Sequence, residues 1–189
     1  MIEVENTPIN GLKIIKPKVF FDQRGYFFES YSQKEFDEKV ANTVFVQDNQ
    51  SKSNLGVARG LHFQLPPHAQ AKLVRCVSGE VLDIAVDIRK GSDTYGRHWA
   101  VKLSAEEQNQ FFIPRGFAHG FIVLSPEAVF QYKCDNYYAP GHEGGLDIRD
   151  PNIGLNLEQY GRDLLLSDKD LKYPGLNDFD SPFLLGVNC

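Results

Sequence analysis

Residues 81–88 read Val-Leu-Asp-Ile-Ala-Val-Asp-Ile, and no other stretch constrains the fold as tightly. Leu82, Ile84, Val86 and Ile88 fall on one side and Asp83 and Asp87 on the other. This period-two alternation predicts a strand with one buried face. The run belongs to a series. Lys72 to Val77 precedes it across the turn pair Ser78-Gly79, and Phe111-Phe112-Ile113 ends at the turn Pro114-Arg115-Gly116. Phe121 to Leu124 suits a strand buried on both faces, and Val129 to Asp135 alternates again with Phe130, Tyr132 and Cys134 on one side. Helical signal is thin. Within 32–40, Phe36 and Val40 are four apart, Ser32 is placed as a cap and Glu35 at the capping-box position, and 164–171 has room for one more short turn. Short strands divided by Gly (16) and Pro (10) in 189 residues predict a mainly β fold, a jelly-roll barrel with a few short helices, as a single domain.

The net charge of -5, without a basic stripe, argues against a nucleic-acid partner. An anionic small molecule needs only a local basic pocket and stays open. Residues 1–10 carry acids and no apolar run, and nothing approaches the roughly 18 apolar residues of a membrane span, so neither a secretory leader nor a membrane partner is expected. Three cysteines, Cys76, Cys134 and Cys189, are too few and too scattered for a disulfide framework or a thiolate metal site. Cys76 and Cys134 sit in apolar strand-like runs and read as small core residues. Cytoplasm is the compartment these features point to.

Two segments carry chemistry. The first runs from Gly56 through Arg59-Gly60-Leu61-His62-Phe63-Gln64. Seven residues then separate Gln64 from Lys72, and six separate Lys72 from Gly79. The second is Pro114-Arg115-Gly116-Phe117-Ala118-His119. Together they resemble the two cupin motifs, G-x5-H-x-H followed by Glu, six residues and Gly, and later P-x-G-x-x-H. Metal-binding cupins use those histidines and that glutamate as ligands. Here Gln64 stands at the second histidine and Lys72 at the glutamate. An ammonium offers a cation no lone pair and repels it, so no metal cofactor is expected.

A base and a cation in a metal-free pocket suit proton abstraction alpha to a carbonyl. A neutral imidazole has a reference pKa of about 6.5, near working pH. His62 is the candidate base, Lys72 would steady the enolate oxygen, and Tyr132 would return a proton from the other face. Taken singly, each residue has a plainer reading: a packed histidine, a surface lysine, a core ring with its hydroxyl at the rim. The joint spacing favours chemistry. Arg59 and His62 alternate to opposite faces in an ideal strand, so a bulge or twist is needed for both to meet one ligand.

With those residues in place, the chain closely resembles the dTDP-4-dehydrorhamnose 3,5-epimerase family, from about Leu12 to Pro174. The motifs are F-x-D-x-R-G-Y-F-F-E-S from Phe20, V-Q-D-N-Q-S-K-S from Val46, R-G-L-H-F-Q from Arg59, K-L-V-R-C from Lys72, I-P-R-G-F-A-H-G-F from Ile113, Y-K-C-D-N-Y-Y from Tyr132 and L-S-D-K-D from Leu166. The resemblance implies a cofactor-free cupin. His62 would be the proton acceptor, Asp170 its orienting partner, Tyr132 the proton donor, and Lys72 and His119 would sit at the sugar. It further implies that Arg24, Glu29, Gln47, Asp48, Asn49 and Arg59 hold the nucleotide diphosphate. Tyr138 would stack on the base, with Glu143 and Lys169 completing the contacts. The substrate would be a dTDP-linked 4-keto-6-deoxy sugar, and the assembly a homodimer exchanging N-terminal strands, through which Arg24 and Glu29 would reach the partner's pocket. Three departures stand out: Ala58 where a bulkier aliphatic is common, Leu157 where tryptophan is frequent, and an apparent extra residue within 158–165. The last loosens the register into Asp170 and leaves Asp168 as the alternative partner of His62. The tail after Pro174 lies outside the match. Three rival readings stay open: a 3- or 5-epimerase of a related sugar, a metal-dependent cupin, and a non-catalytic nucleotide-sugar binder.

Overall fold

In the computed structural model, which describes residues 1–160 and 164–187, thirteen strands in three antiparallel sheets dominate. In chain order they are β1 (Ile2–Asn6), β2 (Lys13–Pro17), β3 (Phe20–Asp22), β4 (Gly25–Phe27), β5 (Gln47–Asn54), β6 (Ala58–Gln64) and β7 (Lys72–Ser78). β8 (Glu80–Asp87), β9 (His98–Ser104), β10 (Gln110–Ile113), β11 (Phe117–Val123), β12 (Glu127–Cys134) and β13 (Glu143–Gly145) follow. One sheet runs β1-β2-β10-β7-β12-β5, its partner runs β13-β6-β11-β8-β9, and β3 pairs β4 in a separate hairpin. Sequential neighbours split between the two large sheets, as in a jelly roll of the cupin type.

The core explains the order. Val74 and Cys76 of β7, Val81 and Ala85 of β8, Phe111 of β10, Phe121 of β11 and Phe130 of β12 meet between the two sheets. A second cluster covers the other face of the smaller sheet. There Leu82, Ile84, Val86 and Ile88 pack beneath Leu146, Ile148, Ile153, Leu176 and Phe183 from the C-terminal segments. At about 1.5–3 kcal/mol for each large aliphatic side chain withdrawn from water, these two layers dominate the stability of the fold. The one-sided reading of 81–88 is therefore corrected. Every residue from Val81 to Ile88 is buried, Asp83 and Asp87 included. Asp87 is satisfied by Arg89, Ser92 and Thr94, and Asp83 turns into the space between the sheets.

The helix α1 (Gln33–Lys39) seats Phe36 against Ile15, Leu73 and Phe112 on the outer face of the larger sheet. The expected capping box does not form. Ser32 makes no side-chain cap bond, and Glu35 instead pairs with the N-terminal amine and with Lys39. No helical turn forms at 164–169; a 3-10 turn at Asp170–Lys172 overlaps only the end of the expected segment. Cys76 and Cys134 are free and buried; Cys189 and residues 161–163 lie outside the described residues, so the extra residue suspected near there is not located. No helix among the described residues is long and apolar enough to cross a membrane.

Candidate active site

A cavity of about 430 Å³ opens between the sheets, lined by Arg59 and His62 of β6, Lys72 of β7, His119 of β11, Tyr132 of β12 and Asp170. A second space of about 270 Å³ shares His62, Lys72 and Tyr132 and adds Gln47, Asn49, Gln64, Gln70, Tyr138 and Glu143. His62, Lys72 and Tyr132 thus form the wall common to two compartments.

Arg59 and His62 reach one cavity through a bulge. His62 pairs with His119 but Arg59 pairs with Phe121, so β6 takes three steps where β11 takes two. The extra residue is accommodated at Gly60, whose φ of 111° is open to glycine. Any Cβ there would lie 2.6 Å from the His119 carbonyl oxygen. Arg59 is held by a 3.0 Å hydrogen bond from its Nε to the Ser53 hydroxyl.

His62 Nε2 lies 2.5 Å from Asp170 Oδ1, across 108 residues of sequence. Asp170 is buried in its 3-10 turn, where its backbone N–H donates to the Ser167 hydroxyl at 3.1 Å. Asp168, the alternative partner, is exposed. With the carboxylate accepting at Nε2, the Nδ1 lone pair of the neutral ring is left for a substrate proton. Burial lowers the His62 pKa, Asp170 opposes that shift, and Lys72 adds to it.

A second histidine–aspartate pair lies beneath the first. His119 Nε2 contacts both oxygens of Asp83, at 3.1 and 2.9 Å. Sequence reasoning placed Asp83 toward solvent and so missed it. The usable signal was its own face of the strand, where Val81 and Ala85 are apolar; a run apolar on both sides is buried on both. Burial pushes the Asp83 carboxyl up, offset by His119 and Lys72. The Lys72 ammonium makes no hydrogen bond or ion pair among the described residues and stands 5.9 Å from the Tyr132 ring centroid, and burial lowers its pKa. Burial likewise raises the Tyr132 phenol, which keeps it protonated as a donor.

At the mouth, Glu143 accepts hydrogen bonds from the Tyr138 hydroxyl (3.1 Å) and the Lys169 ammonium. Burial works against the Glu143 anion, but these two donors outweigh it and lower its pKa. Gln47 accepts from the Tyr138 backbone N–H at 3.0 Å and donates to Asn49 at 3.0 Å. Three expected contacts are not gathered by this chain. Asp48 pairs with Lys133 at the surface. Arg24 sits at the tip of the β3–β4 hairpin, its side chain 85% exposed and paired with Asp22. Glu29 is exposed just beyond the same hairpin.

At the cupin ligand positions the donors do not fit a divalent ion. The Gln64 amide oxygen accepts from the Ala139 N–H at 2.9 Å, His119 Nε2 is engaged by Asp83, and Lys72 brings a cation.

The chain was compared with known proteins. The family model described as dTDP-4-dehydrorhamnose 3,5-epimerase matches residues 6–178. The dTDP-4-dehydrorhamnose 3,5-epimerase of Shigella flexneri is 53% identical over 180 residues, covering 95% of this chain and 98% of that protein. The crystal structure of dTDP-6-deoxy-D-glucose-3,5-epimerase from Legionella pneumophila, in complex with dTDP-4-keto-L-rhamnose, superposes with a TM-score of 0.91 at 46% identity, covering 95% of each chain. A 3'-monoepimerase from Streptomyces bikiniensis, in complex with dTDP-quinovose, superposes with a TM-score of 0.84 at 32% identity, covering 92% of this chain and 87% of that one.

Proposed function

The chain belongs to the dTDP-4-dehydrorhamnose 3,5-epimerase family, and from that premise we propose how its pocket performs the reaction. The enzyme is an isomerase that converts dTDP-4-dehydro-6-deoxy-D-glucose to dTDP-4-dehydro-L-rhamnose, in nucleotide-sugar biosynthesis for rhamnose. The 4-keto group acidifies the hydrogens at C3 and C5. His62, oriented by Asp170, takes the proton at Nδ1, and the C–H electron pair moves into the enolate. The Lys72 ammonium, which forms no ion pair among the described residues, meets the developing charge on O4. Tyr132 then gives its phenolic proton to the opposite face of the carbon, and solvent returns a proton to Tyr132 and removes one from His62 before the second centre is inverted.

The observation that carries this reading is the origin of the two groups. His62 stands on the smaller sheet and Tyr132 on the larger, so base and acid enter one cavity from facing walls, as inversion of a carbon requires. The nucleotide lies toward the smaller compartment, with Tyr138 under the base and Arg59, Gln47, Asn49, Glu143 and Lys169 around the diphosphate and sugar. His119 lines the sugar end. Arg24 and Glu29 act from a homodimer. The β3–β4 hairpin leaves Phe20, Phe21, Tyr26 and Phe27 50–76% exposed, an apolar surface that a second copy would cover while carrying Arg24 and Glu29 into its pocket. The reaction takes place in the cytoplasm.

The test is incubation with dTDP-4-dehydro-6-deoxy-D-glucose in deuterated water, followed by proton NMR. Deuterium at both C3 and C5 with the rhamno configuration is expected. Exchange and inversion at one centre alone would place the enzyme beside the Streptomyces monoepimerase it resembles, and no exchange would overturn the reading.

A further inference from the structure

Tyr173 follows Asp170 by three residues, closing the same 3-10 turn. Its ring stands edge-on to the His62 imidazole, with centroids 5.6 Å apart and planes inclined at 66°. The seat for that ring is a missing side chain. Gly145 of β13 is the register partner of His62, and a Cβ on Gly145 would lie 2.4 Å from the Tyr173 ring. The backbone around it is pinned independently of the dyad. The Asp147 N–H donates to the Pro174 carbonyl at 2.9 Å, and the Leu176 N–H donates to the Asp150 carboxylate.

We propose that Tyr173 is a positioning residue for His62: seated on Gly145, its ring fixes the plane of the imidazole against Asp170 and keeps water from that side of the base. The inference rests on the epimerase reading, because it gives the residue a purpose only if His62 is the base. An edge-to-face pair constrains ring orientation, and an imidazole held with one nitrogen on a carboxylate is useful only while that orientation lasts. The sequence carried no sign of this role. Tyr173 lies beyond the L-S-D-K-D motif, and its contact with His62 exists only because β13 supplies a glycine opposite.

The titratable and charged groups around His62 come from every wall: Asp170, Lys169 and Tyr173 from the turn and its approach, Glu143 of β13, Lys72 of β7, Tyr132 of β12, Arg59 of its own strand, and His119 of β11, the cross-strand partner of His62. Of the influences on its protonation, burial is the largest and lowers the pKa. Removing the ring therefore lets water back and raises the midpoint toward that of free imidazole.

The experiment compares wild type with Tyr173→Phe and Tyr173→Ala. The His62 midpoint is followed by NMR in the substrate-free protein, and kcat and KM are measured across pH. For Tyr173→Ala the midpoint is expected to rise by about half a unit or more. The acid limb of kcat/KM should move to higher pH with it, kcat should fall about tenfold, and KM should stay within about twofold. Tyr173→Phe keeps the ring and should keep the wild-type His62 midpoint and kcat, any loss falling on KM through the hydroxyl's contact with Lys169. Tyr173→Leu carries the same expectation as Ala should the Ala protein not fold. An unchanged midpoint and kcat in the ring-deleted proteins would overturn the proposal, as would Tyr173→Phe losing as much as Tyr173→Ala. A wild type without turnover would strike the epimerase reading instead, and the NMR titration would still judge the seal.

Discussion

Two histidine–aspartate pairs share this pocket and differ in almost everything except chemistry. His62 is 30% exposed, and its carboxylate arrives from a turn 108 residues away. His119 is 7% exposed, and its carboxylate, wholly buried, lies 36 residues away on the adjacent strand. The first pair stands at the junction of two compartments, where a substrate can reach the ring. The second forms the floor, locked between paired strands. A base must give up its proton to solvent each turnover, which the exposed pair allows and the sealed pair does not. The difference separates a pair built to exchange protons from a pair built to hold charge under Lys72.

The largest effect should follow from removing the exposed imidazole. His62→Ala is expected to cut deuterium exchange into C3 and C5 by on the order of 10³, the usual worth of a positioned general base. His119→Asn should retain measurable exchange. Equal losses from the two substitutions would erase the distinction between the pairs.

Next in size is Asp170→Asn. The amide keeps the hydrogen-bonding position but loses the charge, and a loss of about 10² in kcat is expected. The sign of the pH effect follows from the electrostatics. Asp170 raises the His62 pKa against burial, so its neutralisation should move the acid limb of kcat/KM to lower pH while the plateau drops. A limb that moves upward would mean the carboxylate acts on His62 by some route other than its charge.

Asp83→Asn probes the sealed pair. Its carboxyl is raised by burial, so the stability contributed by its protonated form is present below the unfolded pKa and is lost as pH rises through the raised folded value. At neutral pH the buried anion opposes folding unless His119 and Lys72 compensate it. The amide should therefore leave the thermal midpoint at pH 7 equal to or above that of wild type, with kcat lowered about tenfold through the altered field at Lys72. A calorimetric scan beside a kinetic assay separates the two. A large drop in midpoint would mean that Asp83 is chiefly structural.

These contrasts trace what the chain disclosed before its structure. The jelly roll was legible because turn pairs such as Ser78-Gly79 and Pro114-Arg115-Gly116 punctuate apolar runs. The pocket was legible because the cupin spacing survives around His62, Lys72 and His119. The second aspartate was not. Alternation at 81–88 points the aspartates away from the apolar face, and only the apolar Val81 and Ala85 on their own side mark that side as buried too. The bulge at Gly60 could be required, from the need to bring Arg59 and His62 to one ligand, but not located, because glycine in a strand marks several different irregularities. Tyr173 was invisible because its partner's contribution is an absent side chain, Gly145.

The smallest effect concerns the choice between two aspartates in Leu166-Ser167-Asp168-Lys169-Asp170. Of the two, only Asp170 belongs to the 3-10 turn Asp170–Lys172. Asp170 opens the turn facing the sheet and is buried, and the Ser167 hydroxyl secures its backbone. Asp168 precedes the turn and is exposed. Asp168→Asn should therefore change stability by no more than about 0.5 kcal/mol, as surface substitutions generally do, with kcat and the acid limb of the pH profile at wild-type values. A shift of that limb comparable to the one in Asp170→Asn would assign the partner of His62 to the wrong carboxylate, and with it the contrast between a pair made by the chain's distant tail and a pair made within its sheet.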